Sequence, residues 1–558
     1  MRVPVNAGKF PATLAVLFIL TACSDPATGP GNTGPDTNPG AAQPPATMLD
    51  APVATHQGLV AGVPGKVAGV TAFRGIPFGA PPVADLRWKP PHPAAGWVGV
   101  RPGLNFGPPC MQPHQPDRVP QNVAVDLPDS PPMSEDCLYL NVWTPALSAD
   151  ETLPVMVWIY GGAYYEGAGS SPHNQGDYLA QNGVVVVTFN YRLGPLGFLA
   201  YPELTAESPH GASGNYALAD TIAALQWVQD NIRGFGGDPA NVTIFGESAG
   251  SAMASALVGS PAAAGLFHRA ISESGTWMGL TIAPMRPLAA AEQQTVDAIA
   301  ELGLPDLAAL RAMPAEEASA RLPRQGMIID GWIIPEDLSR TFAEGRQNPV
   351  DVIAGSNRDE GSFSAGFGPP MTAARWRESA VQRWGDLAEL GLQAYPADDD
   401  ETAVAHAAAA FTDNMAWSMR LYAQRQRELG RNAYVYQFVH VPPYPEGARD
   451  LGVCHACEIP YVFKTLDAPR SVPDVSSPQL AAGSAEDRAV AEITSSYWTN
   501  FARTGDPNGE GLVHWPKFER TTGGPVLMIG VAPEAGDPLG VTRTRLYEAI
   551  YTRDVAKQ

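Results

Sequence analysis

The sequence predicts an α/β fold: a mostly parallel central sheet with helices on both faces, built as a single large domain. Three observations predict it. Short apolar runs recur along the chain, at Pro154-Val-Met-Val-Trp-Ile-Tyr160, Val184-Val-Val-Val-Thr-Phe-Asn190, Asn241-Val-Thr-Ile-Phe245, Asp351-Val-Ile-Ala-Gly355 and Tyr434-Val-Tyr-Gln-Phe-Val439. They are apolar nearly throughout, as strands buried on both faces must be, rather than alternating. Helical stretches separate them. Residues 215–232 place Leu218, Ile222, Leu225 and Val228 on one side, residues 249–258 form a small-residue helix, and residues 486–503 form a third. Finally, nothing repeats at a fixed period and no linker interrupts residues 53–558. Sheets of this class gather their chemistry at the carboxyl ends of the strands, so the residues just after each run matter most.

Composition narrows the function. The 558 residues are 45% hydrophobic and 17% charged, which excludes a wholly disordered chain. Lys and Arg total 36 against 57 Asp and Glu, a net charge of −21. A nucleic-acid binder needs a basic stripe to displace counterions, and no Lys/Arg run is present. The overall field repels anionic substrates on average and is compatible with neutral or cationic small molecules. No metal-ligand cluster, phosphate loop or dinucleotide fingerprint occurs, so no metal or cofactor is implied.

The strongest chemical signal is Gly246-Glu247-Ser248-Ala249-Gly250. It follows the strand 241–245 and precedes a helix, the context of a nucleophile elbow that lifts Ser248 Oγ above the sheet. A serine hydroxyl needs a base, a group to orient that base, and donors for the developing oxyanion. Tyr160-Gly161-Gly162-Ala163-Tyr164 follows an early strand and can supply backbone donors, with the N–H of Ala249 as a further one. The order Ser, acid, His favours a late histidine. His268 is too early and His406 lies in an Ala-rich helical run, which leaves His440 at a strand end, His455 in the loop Gly452-Val-Cys-His-Ala-Cys457, and His514. For the acid, Asp351, Asp359, Glu360 and Asp413 all lie between; Asp359 and Glu360 occupy the loop at the end of the strand 351–355, where an acid should sit, and chemistry alone does not choose between those two. Glu247, beside Ser248, is positioned to tune the site electrostatically. Trp277 either walls an acyl pocket or packs in the core.

The N-terminus reads as an export signal. Arg2 and Lys9 form a basic stretch, and Leu14-Ala-Val-Leu-Phe-Ile-Leu20 is apolar but too short to span a bilayer. Leu20-Thr-Ala-Cys23 resembles the lipobox of bacterial lipoprotein precursors. The resemblance implies removal of residues 1–22 and a lipid on Cys23. Ser24 stands where an Asp would resemble an inner-membrane retention signal, so the expected site is the outer membrane, periplasmic or surface-facing. Residues 24–52 hold seven Pro, four Gly and no aromatic residue. Such a segment cannot offset its conformational entropy by burial, and it reads as a tether reaching roughly 30 Å. With Cys23 lipidated, Cys110, Cys137, Cys454 and Cys457 remain to pair, which an oxidising compartment permits.

Several segments together are similar to the type-B carboxylesterase and cholinesterase family of α/β-hydrolases, from about residue 53 to residue 547. They are Phe73-Arg-Gly-Ile-Pro-Phe78, Ser134-Glu-Asp-Cys-Leu-Tyr-Leu-Asn-Val142, Asn190-Tyr-Arg-Leu-Gly194, Gly246-Glu-Ser-Ala-Gly250, Arg358-Asp-Glu-Gly361, His455-Ala-Cys-Glu-Ile459, Tyr497-Trp-Thr-Asn-Phe501 and Thr504-Gly-Asp-Pro507. The resemblance implies a serine carboxylesterase acting on a small-molecule ester, with Ser248, Glu360 and His455 as catalytic triad and Gly162, Ala163 and Ala249 as oxyanion donors. It also implies a Cys110–Cys137 disulfide and buried ion pairs Arg87–Glu135 and Arg192–Asp220. Two departures stand out. Leu127 occupies the position of a cation-binding tryptophan in cholinesterases, which argues against a choline ester. Cys454 and Cys457 flank His455 without matching a family feature, and a local disulfide steadying that loop is the expectation. The alternatives are an amide or carbamate hydrolase with the same triad, or a non-catalytic surface-binding module.

Overall fold

The computed structural model describes residues 48–113, 131–276, 285–362, 370–447, 449–468 and 483–555. The export signal, Cys23, most of the tether, Leu127 and Trp277 lie outside the described residues. Among those described, the main sheet has eleven strands, numbered here along the chain: β1 (Val63–Pro64), β2 (Thr71–Pro77), β3 (Tyr139–Thr144), β4 (Leu153–Ile159), β5 (Val185–Phe189), β6 (Gly237–Glu247), β7 (Arg269–Glu273), β8 (Asp351–Asn357), β9 (Ala433–Phe438), β10 (Val526–Ile529) and β11 (Glu534–Gly536). Their spatial order is β11-β10-β9-β8-β7-β6-β4-β5-β3-β2-β1. From β5 to β10 every neighbouring pair is parallel. The flanking pairs are antiparallel. The mostly parallel sheet of an α/β-hydrolase is therefore present.

The central strands explain themselves. Val185–Phe189 is buried at every position, and Leu153–Ile159 and Asp351–Asn357 at all but the first. A β-branched run suits a pleated surface covered on both sides. Register fixes the layers: Val157 pairs with Val187 and Ile244, and Ile271 with Phe245 and Ile353. The Trp158 indole packs tilted against Phe245 (4.8 Å between ring centres) and edge-on to Phe463 (5.0 Å) in the core. Each such buried aromatic contributes on the order of 2–3 kcal/mol.

Four helices pack against this sheet, α1 (Tyr216–Asn231), α2 (Ala249–Gly259), α3 (Asp400–Glu428) and α4 (Ala485–Thr504), and α5 (Val541–Val555) packs on α3. Of the four residues that spacing puts on one side of α1, Leu218, Leu225 and Val228 are buried and Ile222 is half-buried. The α4 helix starts with a capping box, in which the Ser484 side chain accepts from the Asp487 N–H and Asp487 accepts from Ser484 N–H. It ends at Gly505, whose φ of 79° is the left-handed stop that glycine adopts freely. The strands β2 and β3, with Arg74 and Asn141 inside them, lack the apolar continuity that marks the central ones. Met48 is buried, although residues 49–52 after it are exposed. No described helix is long and apolar enough to cross a membrane.

Candidate active site

Four strand ends converge. Strand β6 runs straight into Ser248, which has φ 55° and ψ −121°. A β-carbon in that backbone region is strained by about 1–3 kcal/mol, and the surroundings hold it there. Ser248 N–H donates to Glu273 O (2.8 Å), while Ala252 N–H donates to Ser248 O (2.9 Å) and starts α2. The glycines on either side leave no room for side chains. A β-carbon at Gly246 or Gly250 would lie 2.5 or 2.0 Å from Ile159 O. The elbow read from the sequence is thus built by crowding as well as by conformation.

His455 and Glu360 meet Ser248. Ser248 Oγ lies 2.8 Å from His455 Nε2, and His455 Nδ1 lies 2.6 Å from Glu360 Oε2. Glu360 is fully buried, at the end of β8, and its other oxygen accepts from Asn357 N–H (2.7 Å) and from the Ser274 hydroxyl. Asp359 points elsewhere: its carboxylate pairs with Arg358 (2.9 Å) and accepts from Val453 N–H (2.7 Å). It therefore fastens the loop that carries His455 instead of touching the imidazole. The remaining sequence candidates are occupied away from Ser248. His440 pairs with Asp487 (2.7 Å), His268 accepts from Val242 N–H, His406 contacts Pro396 O, and His514 carries no contact to Ser248 or Glu360. Asp351 accepts from Asn432 N–H, and Asp413 binds Tyr395 and Arg543.

The loop after β4 lies against the elbow. A β-carbon at Gly161 would come within 3.1 Å of Ser248 Cβ. Gly162 has φ 104°, a region glycine tolerates at no steric cost, and Ala163 and Tyr164 follow at 52° and 67°. Five of the eight positive-φ non-glycine residues among those described are Ala163, Tyr164, Ser248, Ser274 and Ala456, so backbone strain concentrates at this one place. The backbone N–H groups of Gly162, Ala163 and Ala249 have no acceptor among the described residues. Donors left unspent beside a serine hydroxyl are available to an oxyanion.

Electrostatically the site is a buried set of carboxylates. Glu247 Oε1 lies 3.1 Å from His455 Nε2 without hydrogen-bond alignment. Burial, with the neighbouring Glu458 and Glu360, pushes the Glu247 carboxyl up to about 8. Burial and Glu360 push Glu458 to about 7, and burial and Glu458 push Glu273 well above the carboxylate range. Burial disfavours the imidazolium of His455, but Glu247, Glu360 and Glu458 outweigh it and raise the group to about 10. Asn357 ties the set together, donating to Cys454 O (2.7 Å) and Glu458 (2.5 Å). Glu273 accepts from the indole of Trp498 (2.8 Å).

Sequence reasoning did not single out Ser274, Glu273, Asn357 or Glu458. The available signal was an acid in an otherwise apolar strand, Ala270-Ile-Ser-Glu273, and a second acid three residues beyond His455. Cys110 and Cys137 are bonded, as are Cys454 and Cys457 on either side of His455. The pairs Arg87–Glu135 (2.5 Å) and Arg192–Asp220 (2.7 Å) are both shielded from solvent. Among the described residues no His, Cys, Asp and Glu group has the arrangement of a metal site.

Comparisons with known proteins identify the family. The sequence pattern of the carboxylesterase family matches residues 49–546. A fumonisin B1 esterase of Sphingopyxis macrogoltabida is 39% identical over 505 residues, 88% of each chain. A para-nitrobenzyl esterase of Bacillus subtilis is 34% identical over 509 residues, 88% of this chain and 99% of the relative. The solved structure of a Geobacillus stearothermophilus carboxylesterase superimposes with a TM-score of 0.75 at 31% identity, covering 89% of this chain and 99% of that one. On these matches and this fold, the chain belongs to the carboxylesterase family and is a carboxylic ester hydrolase.

Proposed function

We propose that the protein hydrolyses small-molecule esters through a Ser248–His455–Glu360 triad and an acyl-enzyme. One observation carries the reading: an unbroken hydrogen-bonded path from Ser248 Oγ through both nitrogens of His455 to a fully buried Glu360. His455 Nε2 takes the hydroxyl proton as Oγ attacks the ester carbonyl. The N–H groups of Gly162, Ala163 and Ala249 receive the oxyanion. His455 then returns the proton to the departing alkoxide, and water repeats the sequence on the acyl-enzyme. Glu360 holds the imidazole in the required tautomer. A working base must be neutral before it accepts a proton. Glu247, a buried carboxyl itself pushed up to about 8, is the first of the carboxylates that raise His455. Glu247 thereby sets the charge of the base.

Two esterases of different named substrates stand among the relatives, so a p-nitrophenyl ester series from C2 to C12 and fumonisin B1 are the compounds to try. Turnover by the full chain that disappears in Ser248→Ala, with folding intact, supports the reading. Equal turnover in Ser248→Ala overturns it. We further propose that residues 1–22 are removed and that a lipid on Cys23 displays the enzyme from a bacterial outer membrane. The basis is the apolar stretch, the residues around Cys23 and the Pro/Gly-rich tether. Cys23→Ser should move the enzyme from the membrane to the soluble fraction. Retention of the variant on membranes would refute the anchor.

A further inference from the structure

Arg324 stands out in a chain with a net charge of −21. Its guanidinium lies over the ring of Tyr165, 3.8 Å from the centroid. No carboxylate lies within ion-pair distance, and none of its five donors has an acceptor among the described residues. The neighbouring arginines behave differently: Arg311 pairs with Glu207 and Arg321 with Glu317. Arg324 is therefore an oriented and uncompensated cation. Stacking on an aromatic face fixes the plane of the guanidinium while leaving its edge open to a partner.

Its position is set from both sides. Tyr165 closes a turn with the candidate oxyanion loop, its N–H donating to Gly162 O (2.8 Å). The ends of such a turn lie within roughly 7 Å, so Tyr165 stays close to the loop that faces Ser248. Tyr165 OH is itself buried without a hydrogen-bond partner. On the other side, buried Gln325 pins the Arg324 segment. It accepts from Ala200 N–H (2.8 Å) and donates to Ala291 O (2.7 Å) and Thr295 Oγ1 (2.9 Å). A β-carbon on Gly326 would sit 3.3 Å from the ring of Tyr164, which places this segment directly over the loop. Asn215 clamps the next residues through both the N–H and the O of Ile328.

We propose that Arg324 is a specificity-determining residue that receives a carboxylate carried by the ester substrate, forming the paired hydrogen bonds that a guanidinium edge offers. This rests on the ester-hydrolase reading of the Ser248 site. It also corrects the expectation from net charge alone: the surface repels anions on average, whereas the segment packed against the candidate oxyanion loop presents a local cation. Tyr165 serves as the platform, and Gln325 as the residue that holds the segment.

The test compares matched esters with and without a carboxylate, in two arms. One arm puts the charge on the acyl part, as the mono-p-nitrophenyl ester of adipic acid against p-nitrophenyl hexanoate. The other puts it on the alcohol part, as 4-acetoxybenzoate against its methyl ester. The quantity read is the ratio of kcat/KM values, charged over neutral, in the full chain. Arg324→Gln is expected to lower that ratio roughly 10- to 100-fold in at least one arm, mainly through KM, and the arm affected identifies the part of the substrate that carries the charge. Arg324→Lys, which keeps the charge but loses the planar edge, should fall between. Ratios unchanged within twofold in both arms would overturn the proposal. Wild-type turnover of the neutral esters, lost in Ser248→Ala, tests the underlying site separately, and that turnover persisting in Arg324→Gln shows that the variant is folded.

Discussion

His440 and His455 invite comparison, because both follow strand β9 and both meet a buried acid within 2.7 Å. They differ in what else the acid does. Asp487 also accepts from Tyr461 (2.7 Å) and from Ser484, whose backbone and hydroxyl it caps at the start of α4. Its bonds all point toward holding a helix end. Glu360 accepts from Asn357 and Ser274 in the same way, yet the far nitrogen of its histidine reaches Ser248 on a strained elbow. The electrostatics separate the two further. Burial raises the Asp487 carboxyl, but the Ser484, His440 and Tyr461 donors outweigh it and hold it down at about 2. Around His455, three buried carboxylates crowd together and are pushed up. A histidine–carboxylate pair thus serves as a cap or, in the proposed mechanism, as a catalytic device, according to what stands on the other nitrogen and how many like charges share the cavity.

Breaking the two pairs should separate them most sharply. His455→Gln is expected to lower kcat by about 10,000-fold, since the remaining donors and binding alone carry little of the rate. His440→Gln should leave kcat nearly intact and instead cost about 1 kcal/mol of stability, measured by chemical denaturation. The sign of its pH dependence follows from Asp487. A carboxyl depressed in the folded state stabilises above the ordinary range and loses that contribution as pH falls from about 4 to about 2. The stability gap between wild type and His440→Gln should close over that window.

The adjacent acids Asp359 and Glu360 sharpen the comparison. Glu360→Gln should cut kcat by about 1,000- to 10,000-fold, as loss of the orienting carboxylate does in other triads. Asp359→Asn should do far less, because it loosens the loop at Val453 without touching the imidazole. Exchanged results would reassign the acid.

Glu247→Gln addresses the charge set with a smaller effect. Its carboxylate is foremost among the groups that raise His455, so removing it lowers the proton affinity of the imidazole. The base is active when neutral, and the rising limb of the kcat/KM–pH profile should therefore move to lower pH. A limb that stays in place or moves upward would contradict the role given to Glu247.

The comparison also explains what was legible in the sequence. Ser248 was readable because an elbow needs glycines at fixed offsets beside a strand, and Gly246 and Gly250 supply them. The central strands were readable because two covered faces demand continuous apolar runs. The choice between His440 and His455 was not readable from the residues, since each sits after a strand in a plausible order. It took the family motif around His455, and it is the fold that brings residues 207 positions apart within hydrogen-bond reach. Glu458, Ser274 and Asn357 escaped notice for the same reason: their meaning lies in one cavity assembled from three strand ends. The flanking strands β2 and β3 were hidden by Arg74 and Asn141, polar residues whose partners are distant in sequence.

The most direct measurement of the central claim is labelling of the intact enzyme with a fluorophosphonate, followed by mass mapping of the adduct. Reaction at Ser248, absent in Ser248→Ala and strongly slowed in His455→Gln, is the result that an activated serine requires. A folded, wild-type protein that takes the label at another residue, or not at all, would contradict it.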